Sequence, residues 1–344
     1  MSVWIRALLL LLLLTGPAAA QAVTAPPGPT LAAVLARGHL ICAASDPLPG
    51  FAQMGQDGRW GGFDVDFCRA VAAAVLGDPE KVEFRPLSGD TRFADLQTGT
   101  IDLLARNGAW TMRRDTSYGA SFVGTSFYDG QAIMVPTSLG FVSAYELDDV
   151  SVCVLDDSEA LANLAEFFFQ TQATYTEVLY ENRDDLSVAY QQGLCNAVSA
   201  PSSWLQGFRR TLPEPATHRI LPERISKEAF GPVVRSGDDQ WFEIVRWTLY
   251  TLIQAEEIGV SQLNISSLRA AKTHSIRRLL GLEGGPFGPT IGLSPDFMTK
   301  IIQSVGNYGE IFDRNFGPVT GAAIPRGQNA LWINGGLLYA PPIE

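Results

Sequence analysis

Ile101-Asp102-Leu103-Leu104-Ala105-Arg106-Asn107-Gly108-Ala109-Trp110-Thr111-Met112-Arg113-Arg114-Asp115 runs from an apolar, strand-like segment into a helix start. It places a hydroxyl, Thr111, three residues before a guanidinium, Arg114. A helix N-terminus offers free N–H donors and the positive end of the helix dipole. A planar guanidinium beside it can grip a carboxylate with two parallel hydrogen bonds. That is the chemistry needed to hold the α-carboxylate of a free amino acid. The same spacing also serves as a plain helix cap with a surface ion pair, so the flanking chain decides its weight.

On either side of this stretch, residues 31–135 alternate strand and helix signals. Leu40–Ala43, Val82–Phe84 and Ile101–Leu104 read as strands. Asp64–Leu76, ending at Gly77, and Thr91–Gln97, stopped by Gly99, read as helices. Helices of this length between short apolar strands predict α/β units and a mostly parallel sheet. A second block of the same kind spans about 139–230, with strands at Val150–Leu155, Glu177–Leu179 and Ala197–Ser199. Its helices are Glu159–Gln170, with an aromatic face of Phe167, Phe168 and Phe169, and Leu186–Gln192. A long amphipathic helix follows at Gln240–Glu257, with Trp241, Ile244, Val245, Thr248, Leu249 and Leu252 on one face. Residues 285–344 add a helix at Pro295–Val305 and a Gly/Pro-rich end, expected to pack over the first lobe.

The chain opens with Met1 to Arg6, an apolar run Ala7–Leu14, and Thr15-Gly16-Pro17-Ala18-Ala19-Ala20. One positive charge, a short apolar core and an A-x-A ending predict a signal peptide cleaved near Ala20. Export from the cytoplasm is therefore expected, with a retained signal anchor as the alternative. About 320 residues then remain, enough for two ordinary domains. The formal net charge is −11, with scattered basic residues, and this excludes a nucleic-acid partner. Four cysteines in an exported chain read as two disulfides, with three pairings open. Cys42–Cys68 and Cys153–Cys195 are favoured because each pair then stays within one α/β block. Each would contribute about 3–4 kcal/mol on the chain-entropy model. No C-x-x-C occurs, and His39, His218 and His274 are far apart in sequence, so no metal site is expected. Two α/β lobes joined by two short crossings predict a hinge-closing receptor with its ligand between the lobes.

In detail the chain resembles the periplasmic general L-amino-acid-binding proteins of ABC transporters, which have the type II periplasmic-binding-protein fold. The resemblance rests on Gly61-Gly62-Phe63-Asp64-Val65-Asp66-Phe67-Cys68-Arg69 and on Arg106-Asn107…Trp110-Thr111-Met112…Arg114-Asp115. It continues through Tyr128-Asp129-Gly130-Gln131 and Ile225-Ser226-Lys227-Glu228…Gly231-Pro232-Val233-Val234-Arg235. Trp241-Phe242…Trp247-Thr248-Leu249, Val305-Gly306-Asn307-Tyr308 and Tyr339-Ala340-Pro341-Pro342 complete it, over nearly all of the mature chain. The resemblance implies an α/β, two-lobed receptor with each lobe a mixed, mostly parallel sheet flanked by helices. Lobe 1 would comprise 31–135 plus 232–344 and lobe 2 136–231, with crossings near Met134–Thr137 and Gly231–Arg235. It implies an inner-membrane permease as partner, a monomer, no cofactor and no catalytic residue.

Residue by residue, Arg114 would bind the ligand carboxylate with Thr111 beside it. Phe51 would form an apolar wall of the cleft. Ser158 would reach the carboxylate from the second lobe. The departures from the family pattern are equally informative. Gly108 and Ala109 stand where the family has two Thr, and Asp157 stands where it has Gly. Pro201 stands where the family has the Asp that binds the α-ammonium, and proline can neither neutralise nor hydrogen-bond a cation. Asp46, Asp157 or Asp129 could substitute. Alternatively the ligand lacks an ammonium, the site has decayed toward a protein-binding role, or the chain is an enzyme on this fold, such as a dehydratase.

Overall fold

Short runs rich in Val, Ile, Leu and Ala form the buried central strands of two separate sheets, whose outer strands are partly exposed. The computed structural model describes residues 25–44, 48–87, 91–156, 159–318 and 324–344. The expected leader at 1–20, Asp46, Asp157 and Ser158 lie outside them. The strands are β1 (Leu40–Ala44), β2 (Gln53–Met54), β3 (Trp60–Gly61), β4 (Val82–Pro86), β5 (Leu103–Leu104), β6 (Ala120–Phe122) and β7 (Phe127–Asp129). They continue with β8 (Gln131–Pro136), β9 (Val150–Leu155), β10 (Tyr175–Tyr180), β11 (Ala197–Pro201), β12 (His218–Ile220), β13 (Glu228–Phe230) and β14 (Val233–Arg235).

The first sheet has the order β4-β1-β5-β14-β6, and the second has β10-β9-β11-β8-β12. In each, three parallel strands meet an antiparallel fourth, β14 in the first and β8 in the second. That fourth strand is the one the chain forms on arriving from the other lobe. The two arrivals are preceded by β7 and β13, which pair antiparallel as a two-stranded ribbon with Asp129 opposite Glu228. The first crossing therefore lies at Phe127–Gly130 and not at Met134–Thr137, because all of Gln131–Pro136 pairs inside the second sheet. The second crossing likewise ends at β13, before β14 enters the first sheet.

Parallel strands need covering on both faces, and helices supply the cover. Phe63–Leu76 buries Val65, Ala70, Val71 and Ala73, and is joined to β1 by the Cys42–Cys68 disulfide. Asp239–Glu257 buries Trp241 completely, and its indole N–H donates to the Asp102 carbonyl at 2.9 Å. The chain beyond 285 completes this core with Phe297, Ile301, Tyr308, Phe312 and Phe316. In the second lobe Cys153–Cys195 ties β9 to the turn before β11. Both disulfide pairings match the expectation. The aromatic face of Glu159–Thr171 is narrower than expected. Phe167 and Phe168 are buried, but Phe169 is 83% exposed. Three consecutive residues span about 200° of a helix, more than one face can hold.

Candidate binding site

Between the lobes lies a cavity of about 720 Å³. The first lobe contributes Leu48, Arg92, Arg106–Ala109 and Arg114, and the ribbon contributes Glu228 and Phe230. The second lobe contributes Leu155, Glu159, Glu181–Asp184, Ser199–Pro201 and Trp204. A second depression of about 560 Å³ around Asp66, Arg69 and Arg314 is polar, but its charges neutralise one another, as in the 2.9 Å Arg314–Asp66 pair.

Arg114 is placed by its own local sequence. The Trp110 ring stacks on Phe122 with centroids 5.3 Å apart, and the Trp110 N–H donates to the Ala229 carbonyl at 2.7 Å. The chain then enters the helix Met112–Ser117, which Thr111 caps by accepting the Arg114 N–H at 3.3 Å. The guanidinium folds back, and Nη1 donates to the Ala109 carbonyl at 2.9 Å. Nη2 faces Glu159 of the second lobe at 3.6 Å. Arg114 and Ala109 line the cavity, whereas Thr111 does not. Its hydroxyl holds the helix start rather than facing the cavity.

Two other expected residues sit elsewhere. Phe51 is 1% exposed and packs edge-on against Phe127, Phe230 and Phe316, so it backs the cleft wall, which Leu48 and Phe230 form. Asp129 is half-buried with both oxygens engaged. Oδ1 accepts the Gly130 N–H at 2.8 Å, and Oδ2 accepts the N–H of Ser203 at 3.1 Å and its hydroxyl at 2.5 Å. The cause is Pro201, which ends β11 and stands at the N-cap of the helix Ser202–Thr211 without a side-chain acceptor. Asp129 supplies that cap from the neighbouring ribbon.

Among the described residues four acids line the cavity: Glu159, Glu181 and Asp184 on the second lobe and, on the ribbon, Glu228. Burial pushes the Glu228 carboxyl up to about 7, and the Asp129 carboxylate opposite it adds to the rise. The Ser226 hydroxyl opposes the shift, the Glu159 charge adds to it, and Arg114 opposes it. Asp129 is also raised by burial, against the hydrogen bonds from Ser203 and Gly130. Behind the Arg106–Ala109 loop, buried Asp64 accepts the Asn107 N–H. Burial pushes Asp64 to about 7 despite the Arg106 charge. The sequence carried Glu228 within a recognised segment but gave it no role. Its partner Asp129 is 99 positions away and meets it only through β7–β13 pairing.

Residues 40–262 match the family described as bacterial extracellular solute-binding proteins, family 3. The chain belongs to that family. This solute-binding protein is 46% identical over 316 residues to the general L-amino acid-binding periplasmic protein AapJ of Rhizobium johnstonii, covering 92% of this chain and 93% of that one. It is 47% identical, with the same coverage, to the glutamate/glutamine/aspartate/asparagine-binding protein BztA of Rhodobacter capsulatus. A solved structure, an ABC transporter periplasmic binding protein from Brucella ovis with glutathione bound, is 44% identical with a TM-score of 0.88, covering 92% of this chain and all of that one. All three are named as binding proteins, and the Brucella ovis structure as that of an ABC transporter. Among the described residues no helix is long and apolar enough to cross a membrane.

Proposed function

We propose that this solute-binding protein captures a free amino acid, or a close relative bearing both a carboxylate and an ammonium, between its lobes in the periplasm and presents it as a monomer to an ABC importer. The observation that carries the reading is the pairing of opposite charges on one cavity: Arg114 on the first lobe and Glu228 on the ribbon. Arg114 takes the ligand carboxylate as a charge-assisted pair. Glu228 takes the ammonium in place of the acid missing at Pro201. A carboxyl held near 7 by burial and like charge is stabilised by an arriving cation. Ala109 and Phe230 bound the ligand on the first-lobe side, and Trp204 on the second. Rotation about the ribbon closes the second lobe over the ligand, and the permease reads the closed shape.

Glu228 also keeps an enzyme reading alive, because a carboxyl near 7 suits a general acid. The names of the relatives favour the receptor. Turnover of a prephenate-like substrate would reverse that preference.

The test is a thermal-shift screen of protein stripped of ligand by unfolding and refolding. The panel holds the twenty amino acids, oxo- and N-acyl acids, and γ-glutamyl peptides such as glutathione. Ligand at roughly a thousand times Kd adds about 4 kcal/mol. Shifts with free amino acids support both roles. Shifts confined to acids without an ammonium overturn the role of Glu228, and silence across the panel overturns the receptor reading.

A further inference from the structure

The C-terminal segment 324–344 lines no part of the interlobe cavity, yet it touches the ribbon on which the lobes turn. In the β7–β13 pair, Tyr128 faces Ala229, and the backbone groups of both point outward, away from the partner strand. Each outward edge is taken. The Ala229 carbonyl accepts the Trp110 N–H at 2.7 Å. On the other edge the Asn329 side chain acts as a one-residue strand. Its Oδ1 accepts the Tyr128 N–H at 2.7 Å, and its Nδ2 donates to the Tyr128 carbonyl at 2.9 Å.

Asn329 is only 4% exposed and is itself anchored to the first lobe. Arg326 donates through Nε to the Asn329 carbonyl at 3.0 Å, and through Nη2 to both Glu256 oxygens at 2.9 and 3.0 Å. The Tyr308 hydroxyl donates to the Ser126 carbonyl at 2.8 Å, one residue before the ribbon. The first-lobe end of the ribbon is tight as well, since a Cβ on Gly231 would lie 2.0 Å from the Gly124 carbonyl oxygen. At the other end, the Gly130 N–H and carbonyl meet the second lobe through Asp129 and Ser202.

We infer that Asn329 is a positioning residue for ligand binding: it clamps the free edge of the hinge ribbon to the first lobe, so that closure pivots beyond Asp129 and Glu228 keeps a constant place relative to Arg114. A ribbon with one open edge would twist with the second lobe and carry Glu228 with it. The clamp removes that freedom before the ligand arrives, which is preorganisation of the site. Nothing in this device depends on which ligand is bound.

The experiment compares the wild type, Asn329→Ala and a control, Ile265→Ala, which opens a buried site of the first lobe away from the ribbon. Spin labels at Glu166→Cys on the second lobe and Leu263→Cys on the first report the interlobe distance, and titration with L-glutamate reports Kd. Asn329→Ala should broaden the unliganded distance distribution and raise Kd about tenfold, chiefly through faster dissociation. Ile265→Ala should lower the melting temperature and leave both readouts at wild-type values. If Asn329→Ala only lowers the melting temperature, with the distribution and Kd unchanged, the clamp is refuted and Asn329 is plain packing. If the wild type ignores L-glutamate, the ligand reading suffers, while the unliganded distribution still decides for or against the clamp.

Discussion

The two ends of the interlobe cavity were built in different ways. The cationic end is local: Ala109, Thr111 and Arg114 lie within six residues, and one turn of chain sets the guanidinium. The anionic end is assembled from distance. Pro201 has no acceptor, Asp129 caps the helix at Ser202–Ser203, and Glu228 lines the cavity from the opposite strand of the ribbon. An arrangement made by a short motif survives changes elsewhere. One made by strand pairing holds only while the register that sets Glu228 opposite Asp129 holds.

The largest expected effect comes from breaking the local end. Arg114→Ala should weaken ligand binding at least a hundredfold by calorimetry, since it strands a carboxylate without its cation. The unliganded melting temperature should stay within about 2 °C, because the Arg114–Glu159 pair is half exposed and contributes little. Unchanged affinity would take Arg114 out of the site.

Next comes the assembled end. Glu228→Gln should cost α-amino acids about thirtyfold in affinity and leave oxo- and N-acyl acids untouched, the contrast between the two classes being the readout. Its stability effect has a definite sign. The folded carboxyl sits near 7, above its ordinary value of 4.5, so the wild type loses stability as pH rises from about 4.5 through 7. The glutamine variant should therefore melt a few degrees higher than wild type at pH 8 and equally at pH 4.

Binding an ammonium requires the ionised form, so wild-type affinity for amino acids should fall about tenfold per unit of pH below 7. Titrations between pH 5.5 and 8 would check this, and Glu228→Gln should flatten the profile. The smallest effect belongs to Glu159. It competes for Arg114 from the second lobe, so Glu159→Gln should tighten binding by only two- to threefold. A large loss instead would make Glu159 a second holder of the ammonium.

Much of this was legible in the chain before folding. The alternation of apolar runs with helical periods located β1, β4, β9 and β11 and the helices between them to within a few residues. Cysteine positions sorted by α/β block yielded both disulfides, because each block folds on itself. The T-x-x-R stretch marked a helix start, which Thr111 caps with Arg114 on its first turn, since both residues of that motif lie on one helical turn. Phe51 was misread because an aromatic after a Pro-Gly turn looks the same whether it faces a cleft or the core behind it. Four other rings from four distant segments, Phe63, Phe127, Phe230 and Phe316, decide that it faces the core.

By itself, then, the sequence determined which segments are strands and helices, which cysteines pair and where the Thr111-capped helix begins, all matters of short-range periodicity and capping. Only the tertiary structure decided that Glu228 meets Asp129 across the ribbon, that Asp129 serves Pro201's helix, and that Asn329 closes the ribbon's edge. Those partners are 99, 74 and 201 residues apart. Their meeting depends on strand register and on burial that makes unpaired polar groups costly, which no local pattern of residues encodes.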